Sequence, residues 1–384
     1  MKDLSVIGIG STTFGQHKMT SIIELAKQAA DQAIFDAGID REQIGALYIG
    51  NFISGPLTGQ EVLGGIIADS LGLGEIPATK VEGACASGGI AFRHACIAVA
   101  SGLTEVALAI GVEKMTHASG KEVTSALNFA MDKDTDGKAG LTFPGLYGLA
   151  WTSHSKKYGT TRSQVSAVVK KNKGAGLKNP LAQMGINLTE SQILNSRLIA
   201  KPIRLFDCCP VSDGAAAVII TTARNAKRAK APISVLASVQ TSGTPRISGS
   251  DNLTSFKASI SASNQAFQIA GLSRKDVSLV ELHDCFATAE MLHYENLGLC
   301  GDGEAGRMID EGEVELGGRI PVNVSGGLLS KGHPLGATGI ANIYEICTHL
   351  RGEAGERQVE NARIGMTHVI GLGSACGIHI LEKT

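Results

Sequence analysis

Apolar and polar positions along the chain change their period repeatedly, and each change marks an element. The N-terminal run Met1-Lys2-Asp3-Leu4-Ser5-Val6-Ile7-Gly8-Ile9-Gly10 reads as a first strand. Two later stretches carry the same pattern in the same order. Gln32-Ala33, then Ala37-Gly38-Ile39-Asp40 on to Ala46-Leu47, aligns without gaps with Gln265-Ala266, then Ala270-Gly271-Leu272-Ser273 on to Leu279-Val280, 233 residues later. Each copy predicts an amphipathic helix, a helix-ending Ala-Gly, a short charged connection and a strand, here Ser278–Leu282 in the second copy. A second pair repeats at an offset of 250: Gly89-Ile90-Ala91 with Gly102, and Gly339-Ile340-Ala341 with Gly352. A charged turn and an apolar strand follow each, Val106–Val112 and Met366–Leu372. Two halves of βαβ type are therefore expected, with two pseudo-symmetric sheets flanked by helices: an α/β protein.

Residues 116–205 interrupt this order and predict a helical insertion rich in Lys, Thr, Ser and Gly. Thr161 stands three residues before Gln164, the spacing of a capping box, so a helix starts there. Asp213-Gly214-Ala215-Ala216-Ala217-Val218-Ile219-Ile220 then returns as a core strand. The expected division is an N-terminal half, 1–115, to whose sheet 206–255 returns, an inserted segment, 116–205, and a C-terminal half, 256–384. Lys156, Lys157, Lys170, Lys171 and Lys173 form a basic rim on the insertion, read as a solvated face that could meet a phosphorylated ligand.

Composition narrows the class. A net charge of −1 and a pI near 6.8 exclude an electrostatic match to nucleic acid or an anionic membrane. No apolar run is long enough to span a bilayer. Eight cysteines without a secretory pattern indicate a reducing compartment and a cytoplasmic protein. Local spacing supports no metal site, since there is no Cys-x-x-Cys pair and Cys208 and Cys209 are adjacent. Gly8-x-Gly10 lacks the third glycine and the acidic residue of a dinucleotide fingerprint.

Candidate chemistry gathers at three turns. Cys85, in Val81-Glu82-Gly83-Ala84-Cys85-Ala86-Ser87-Gly88-Gly89, sits where a strand hands over to a helix, whose free N–H groups favour a thiolate. A free cysteine is by default a small buried hydrophobe, and a single histidine a satisfied core residue. Here, however, His283-Asp284-Cys285-Phe286 follows the second-half strand, at the end where α/β active sites collect. His333, in Gly332-His333-Pro334-Leu335-Gly336, precedes the helix equivalent to the one after Cys85. A thiol with an imidazole is the minimum for nucleophilic catalysis. A second thiol and a second imidazole add an acid/base and an oxyanion donor.

These motifs, with Asp213-Gly214-Ala215-Ala216-Ala217, Asn323-Val324-Ser325-Gly326-Gly327 and Gly336-Ala337-Thr338-Gly339, resemble the thiolases over nearly the full length. The resemblance implies an αβαβα layered fold and an inserted loop domain that binds coenzyme A. It also implies coenzyme A thioesters as substrates, no permanently bound cofactor, and homodimers or homotetramers. Most thiolases carry Asn-Glu-Ala-Phe where this chain has His283-Asp284-Cys285-Phe286, and a C-terminal Cys-x-Gly where it has Gly371-Leu372-Gly373. Cys376 falls five residues too late to replace that cysteine and lies within the final strand. The pattern resembles sterol-carrier-protein-type and archaeal acetoacetyl-CoA thiolases, in which the thiol of His-Asp-Cys-Phe takes the acid/base role.

By that resemblance Cys85 is the acylated nucleophile, His333 its base, Cys285 the acid/base, and His283 with His333 the enolate donors. The second oxyanion hole is expected from backbone N–H groups at Cys85 and in 371–373. Coenzyme A contacts are expected at Asp207, Cys208 and Lys331. Archaeal members work in complex with HMG-CoA synthase and a small OB-fold protein, so a hetero-complex is an expected partner. The expected reaction is condensation of two acetyl-CoA or its reverse; longer or aryl 3-oxoacyl-CoA thiolysis stays open. A decarboxylating condensing enzyme is a rival that the Cys285 thiol disfavours, and a non-catalytic acyl-CoA-binding subunit is a rival from another class.

Overall fold

The computed structural model describes residues 3–227, 229–244, 246, 247, 250 and 252–384. Met1 and Lys2, at the head of the predicted first strand, lie outside the described residues. Nine strands join in one mixed sheet: β1 (Leu4–Ser11), β2 (Ala46–Gly50), β3 (Ala78–Val81), β4 (Val106–Glu113), β5 (Gly214–Thr222), β6 (Ile233–Ser242), β7 (Leu279–Glu281), β8 (Ile364–Gly371) and β9 (Ala375–Lys383). Their spatial order is β3-β2-β4-β5-β1-β6-β9-β8-β7.

That order is its own mirror about the β1–β6 seam. β1, β5, β4 and β2 run outward on one side, and β6, β9, β8 and β7 on the other, each matching its counterpart in chain order. The fifth position of the second half is held by a parallel bridge between Val280 and Val322, which stands where β2 pairs with β3. The seam itself is thin, only Ser5 with Ser234 and Val6 with Ile233. The two sheets expected from the repeat are thus present, joined edge to edge.

Helices cover both faces. α1 (Ile22–Ala37) opens on a capping box between Ser21 and Glu24 and closes on Gly38 at φ 64°. It packs on one face of the first half with Leu47, Leu108, Ile110 and Ile219. α2 (Ser87–Ala100) packs on the other face, with Ala107, Ala109, Ala216 and Val218. Alternate residues of β4 and β5 therefore face opposite layers, and both strands are buried along almost their whole length. The insertion supplies α3 (Phe143–Tyr158) and α4 (Arg162–Gly176), the latter started by the Thr161–Gln164 capping box as predicted. α5 (Lys257–Ala270) is the counterpart of α1 and packs with Val280, Met366, Ile378 and Ile380. α6 (Leu335–Arg351) is the counterpart of α2 and shares its central cluster. The layers run α1, first-half sheet, α2 with α6, second-half sheet, α5.

Glycine lets the two central helices meet. A Cβ on Gly339 would lie 2.2 Å from the Gly89 nitrogen, and one on Gly88 2.5 Å from the Gly336 oxygen. Both contacts involve backbone, so no side-chain movement relieves them. The N-termini of α2 and α6 are thereby held against each other, and the turns leading into them open on one space. No helix among the described residues is long and apolar enough to cross a membrane.

Candidate active site

Cys85 occupies a single 3₁₀ turn, Ala84–Ala86, between β3 and α2. Ala84 before it takes φ 49°, a left-handed conformation costly for a residue with a Cβ. The strained turn is packed against the loop after β8. A Cβ on Gly371 would meet the Gly83 oxygen at 2.2 Å, and Leu372 in that loop also has a positive φ, 51°. Only a glycine at 371 lets the two loops close, so no cysteine side chain fits there.

His333 Nε2 lies 3.3 Å from Cys85 Sγ, although 248 residues separate them. Its Nδ1 is 2.7 Å from the Thr338 hydroxyl, which donates to the Pro334 oxygen. With the Thr338 hydrogen on Pro334, Nδ1–H donates to Thr338 and Nε2 presents its lone pair to the Cys85 thiol. Ser212 accepts from the His333 backbone N–H at 3.1 Å. The His283 ring packs edge-on to His333, centroids 5.0 Å apart. Cys85, His283 and His333 each place a ligand-type atom within 4.8 Å of the other two. Cys285, four residues beyond β7, lies beside them in a cluster with Tyr147, Phe286 and Leu372. The Tyr147 side chain packs beside its sulfur. All four predicted catalytic side chains are brought together and buried.

Burial sets their protonation. Desolvation pushes the Cys85 thiol well up, reinforced by the neighbouring Cys209 and Glu113, and outweighs the lowering by its own backbone N–H. This corrects the expectation of a resting thiolate at the helix start: the thiol is the resting form. Cys285 is raised for the same reason, with Cys85 adding to the shift and the Tyr147 hydroxyl opposing it. Burial holds His283 down at about 3 and His333 well below its ordinary value. The resting site is therefore two thiols and two neutral imidazoles.

A pocket of about 530 Å³ opens onto His333 and is lined by Phe143, Leu205, Cys208, Cys209, Phe286 and Leu335, with Arg197 at its rim. Of the three residues expected to touch coenzyme A, only Cys208 lines it. Asp207 is fully buried and clamped by Arg162 through two 2.8 Å bonds, so it turns no carboxylate to a ligand. Lys331 is also buried, its ammonium 3.9 Å from Glu281 and 3.8 Å from Glu345, so it balances internal charge and does not reach the pocket. Within the lysine rim, Lys173 is buried against the Leu329 oxygen and Lys171 pairs with Glu290 at 2.9 Å.

Sequence reasoning passed over several groups. Thr338 was legible as part of Gly336-Ala337-Thr338-Gly339, one helical turn after His333. Tyr147 is the fifth residue of α3, whose start Pro144 marks. Asp284 holds the Cys285 turn by accepting from Leu328 N at 2.7 Å and Leu329 N at 3.3 Å. Glu113, at the end of β4, accepts from Phe52 N, Ile53 N and Gly336 N, tying α6 to the first half. Val112-Glu113-Lys114-Met115-Thr116 resembles the archaeal branch, but nothing in the local sequence gives Glu113 this bridging role or marks Cys209.

Two family models match, "Thiolase, N-terminal domain" over residues 4–184 and "Thiolase C-terminal domain-like" over 240–383. The chain belongs to the thiolase family. It is 44% identical to an acetyl-CoA acetyltransferase of Methanothermobacter thermautotrophicus, covering 100% of both chains. It is 35% identical to sterol carrier protein 2 of Oryctolagus cuniculus, over 98% of this chain and 71% of that protein. Among solved structures it is similar to an Ltp2-ChsH2(DUF35) aldolase, with TM-score 0.85 and 25% identity over 99% of this chain and 98% of that one. The family, the fold and the sterol-carrier-type and archaeal kinship expected from the sequence are thus shown, and the chain is a thiolase-family acyltransferase. In this thiolase Cys376 is buried in β9 on the α5 side, its sulfur 3.9 Å from Ser259, away from Cys85.

Proposed function

We propose that this thiolase condenses two acyl-CoA molecules, foremost two acetyl-CoA to acetoacetyl-CoA and CoA, and runs the reverse thiolysis through an acyl-Cys85 intermediate. The observation that carries this reading is the meeting of Cys85, His283 and His333, with Cys285 beside them, at a point where His333 lines the wall of a pocket.

In the first half-reaction Cys85 sulfur attacks the thioester carbonyl while its proton passes to His333 Nε2. The departing CoA thiolate takes the Cys285 proton and leaves as the thiol. Cys285 is now a thiolate beside the His333 imidazolium, which explains how a thiol neutral at rest becomes a base only after acylation. It removes a proton from C2 of the second acetyl-CoA. The carbanion attacks the acyl-Cys85 carbonyl, and the tetrahedral adduct expels the Cys85 thiolate, which recovers its proton from His333. Donors for the enolate oxygen are His333 and His283. For the tetrahedral oxyanion they are backbone N–H groups at Cys85 and in 371–373, two loops that already touch.

Coenzyme A enters through the pocket beside residues 116–205, with Cys208 on its wall and Arg197 as the cation for its phosphates. We further propose a hetero-complex, supported by likeness to the Ltp2-ChsH2(DUF35) aldolase; co-purification tests it. The apolar lining by Val123, Leu127, Phe143 and Leu335 favours longer 3-oxoacyl-CoA as the second reading.

Labelled acetyl-CoA should leave label on Cys85 and yield acetoacetyl-CoA. Retention of label in Cys85→Ala would overturn the nucleophile. A kcat/KM at least tenfold higher for longer or aryl 3-oxoacyl-CoA than for acetoacetyl-CoA would replace the first reading by the second. Binding of acyl-CoA without turnover would make the chain a non-catalytic subunit.

A further inference from the structure

Cys85, His283 and His333 lie far apart in sequence, so no local spacing shows them as a ligand set, yet their donor atoms gather within 4.8 Å. We infer that the resting site is also a binding site for one soft divalent cation of the Zn²⁺ class, held by Cys85 Sγ, His333 Nε2 and a ring nitrogen of His283.

The geometry suits a tetrahedral ion. Zn–S near ~2.3 Å and Zn–N near ~2.0 Å place two ligands roughly 3.5 Å apart at a tetrahedral angle. The Cys85–His333 separation is 3.3 Å, so that pair needs little movement. His333 is also prepared in the manner of a metal-bound imidazole, because Thr338 holds its other nitrogen and leaves Nε2 free to donate its lone pair. The His283 arm lacks such support: its Nδ1 is buried without a partner. One sulfur and two imidazole donors select Zn²⁺ or Co²⁺ over Mg²⁺ or Ca²⁺, which require oxygen ligands. Three protein ligands leave the fourth position to the pocket, as in zinc sites that keep one ligand exchangeable.

Binding replaces one proton. The Cys85 S–H bond breaks, the proton goes to solvent, and the sulfur keeps the electron pair that it gives to the metal. The same pair attacks a thioester, so cation and acyl group exclude each other on Cys85. The site would therefore be shut reversibly by the metal and reopened by a chelator. Cys285 stands outside the three-ligand set, and its loss should spare binding.

The test uses the chelator-treated full-length chain with Co²⁺ alone as probe, and needs no turnover. One equivalent should give tetrahedral visible absorption with a thiolate-to-metal band in the near ultraviolet, both displaced by Zn²⁺. Zn²⁺ should also slow alkylation of Cys85 by iodoacetamide, mapped by peptide mass, in the unmodified sequence. Cys85→Ala should lose the thiolate band, His283→Ala should weaken binding roughly tenfold or more, and Cys285→Ala should keep both. The inference is overturned by a spectrum without the thiolate band, by equal affinity in Cys85→Ala and His283→Ala, or by protection of Cys208 and Cys209 in place of Cys85. Failure of acyl transfer would leave these readouts unchanged, and loss of metal binding would leave the acyl-transfer reading intact.

Discussion

The two halves share a scaffold and differ in what their turns carry. After β2 the first half spends its turn on structure: Asn51 donates to Glu113 at 2.7 Å, and Phe52 and Ile53 bond the same carboxylate. After β7 the second half places His283 and Cys285 at the equivalent turn. Before α2 stands Cys85, the proposed nucleophile, and before α6 stands His333, its proposed base. Three of the four reactive side chains thus come from the second half, and the first contributes a single thiol on a strained turn. The two halves present two facing helix starts, and in the proposed mechanism the loops divide the work, one accepting the acyl group and the other handling protons.

The comparison breaks first at Cys285. If the second half handles protons, Cys285→Ala should accept label from acetyl-CoA on Cys85 and fail to condense, with kcat lower by roughly 10²–10⁴. Cys376→Ala, on the far face of β9, should stay near wild type. Equal loss in Cys376→Ala alone, read by single-turnover condensation, would return the acid/base role to the C-terminal strand.

The second difference is electrostatic and appears in acid. His283, His293 and His379 are held at about 3, and His349 at about 4, all by burial, and all lie in the second half. Their ordinary value is 6.5. As pH falls below about 6.5 the unfolded chain binds protons that the folded chain refuses, so stability is lost down toward 3–4 and is fully present above 6.5. Each imidazole contributes up to about 1.4 kcal/mol per pH unit. Glu113, in the first half, is pushed up to about 7 by burial from 4.5. It gains its proton earlier in the fold, so its contribution to stability rises as pH falls from 7 to 4.5. Hydrogen exchange at pH 5.5 should therefore expose β7 and β8 before β2 and β4. Earlier loss from β2 and β4 would reverse the comparison.

Much of this was legible in sequence because period and repetition are carried by many residues at once. The offset of 233 holds in α1 with α5 and β2 with β7, and that of 250 in α2 with α6, while β4 and β8 correspond in order only. Cys85, Cys285 and His333 were legible because each follows a strand or starts a helix, where position alone gives chemistry. Lys331 and Asp207 misled because a charge beside a motif looks available until burial is known; Glu281, Glu345 and Arg162 neutralise them from distant segments. The Cys85 thiolate misled for a related reason, since a helix start is visible in sequence and complete desolvation is not.

A third test addresses the contact of α2 with α6. Gly339→Ala would drive a Cβ into the Gly89 nitrogen, and neither backbone can yield without parting α2 from α6. The expected cost is roughly 1–3 kcal/mol, read as a lower denaturant midpoint at unchanged slope. Gly120→Ala, where nothing lies within 4 Å, is the control and should be neutral or stabilising by at most about 1 kcal/mol. If both variants behave alike, the halves are not held by close contact of these helices.

The smallest effect concerns the base itself. Thr338→Val keeps the shape of the side chain near its buried place on α6 and removes the oxygen that faces His333 Nδ1. His333 then loses the bond that fixes its tautomer, and a bond of that kind is worth about 1–1.5 kcal/mol, so acylation of Cys85 should slow roughly tenfold. Thr338→Ser keeps the hydroxyl and should recover most of the rate while sacrificing the methyl. Burst-phase acylation separates this from fold, because only the hydroxyl bears on which imidazole nitrogen faces the thiol. A loss in Thr338→Ser as large as in Thr338→Val would assign the residue to packing and leave the orientation of His333 to the Ser212 contact on its backbone.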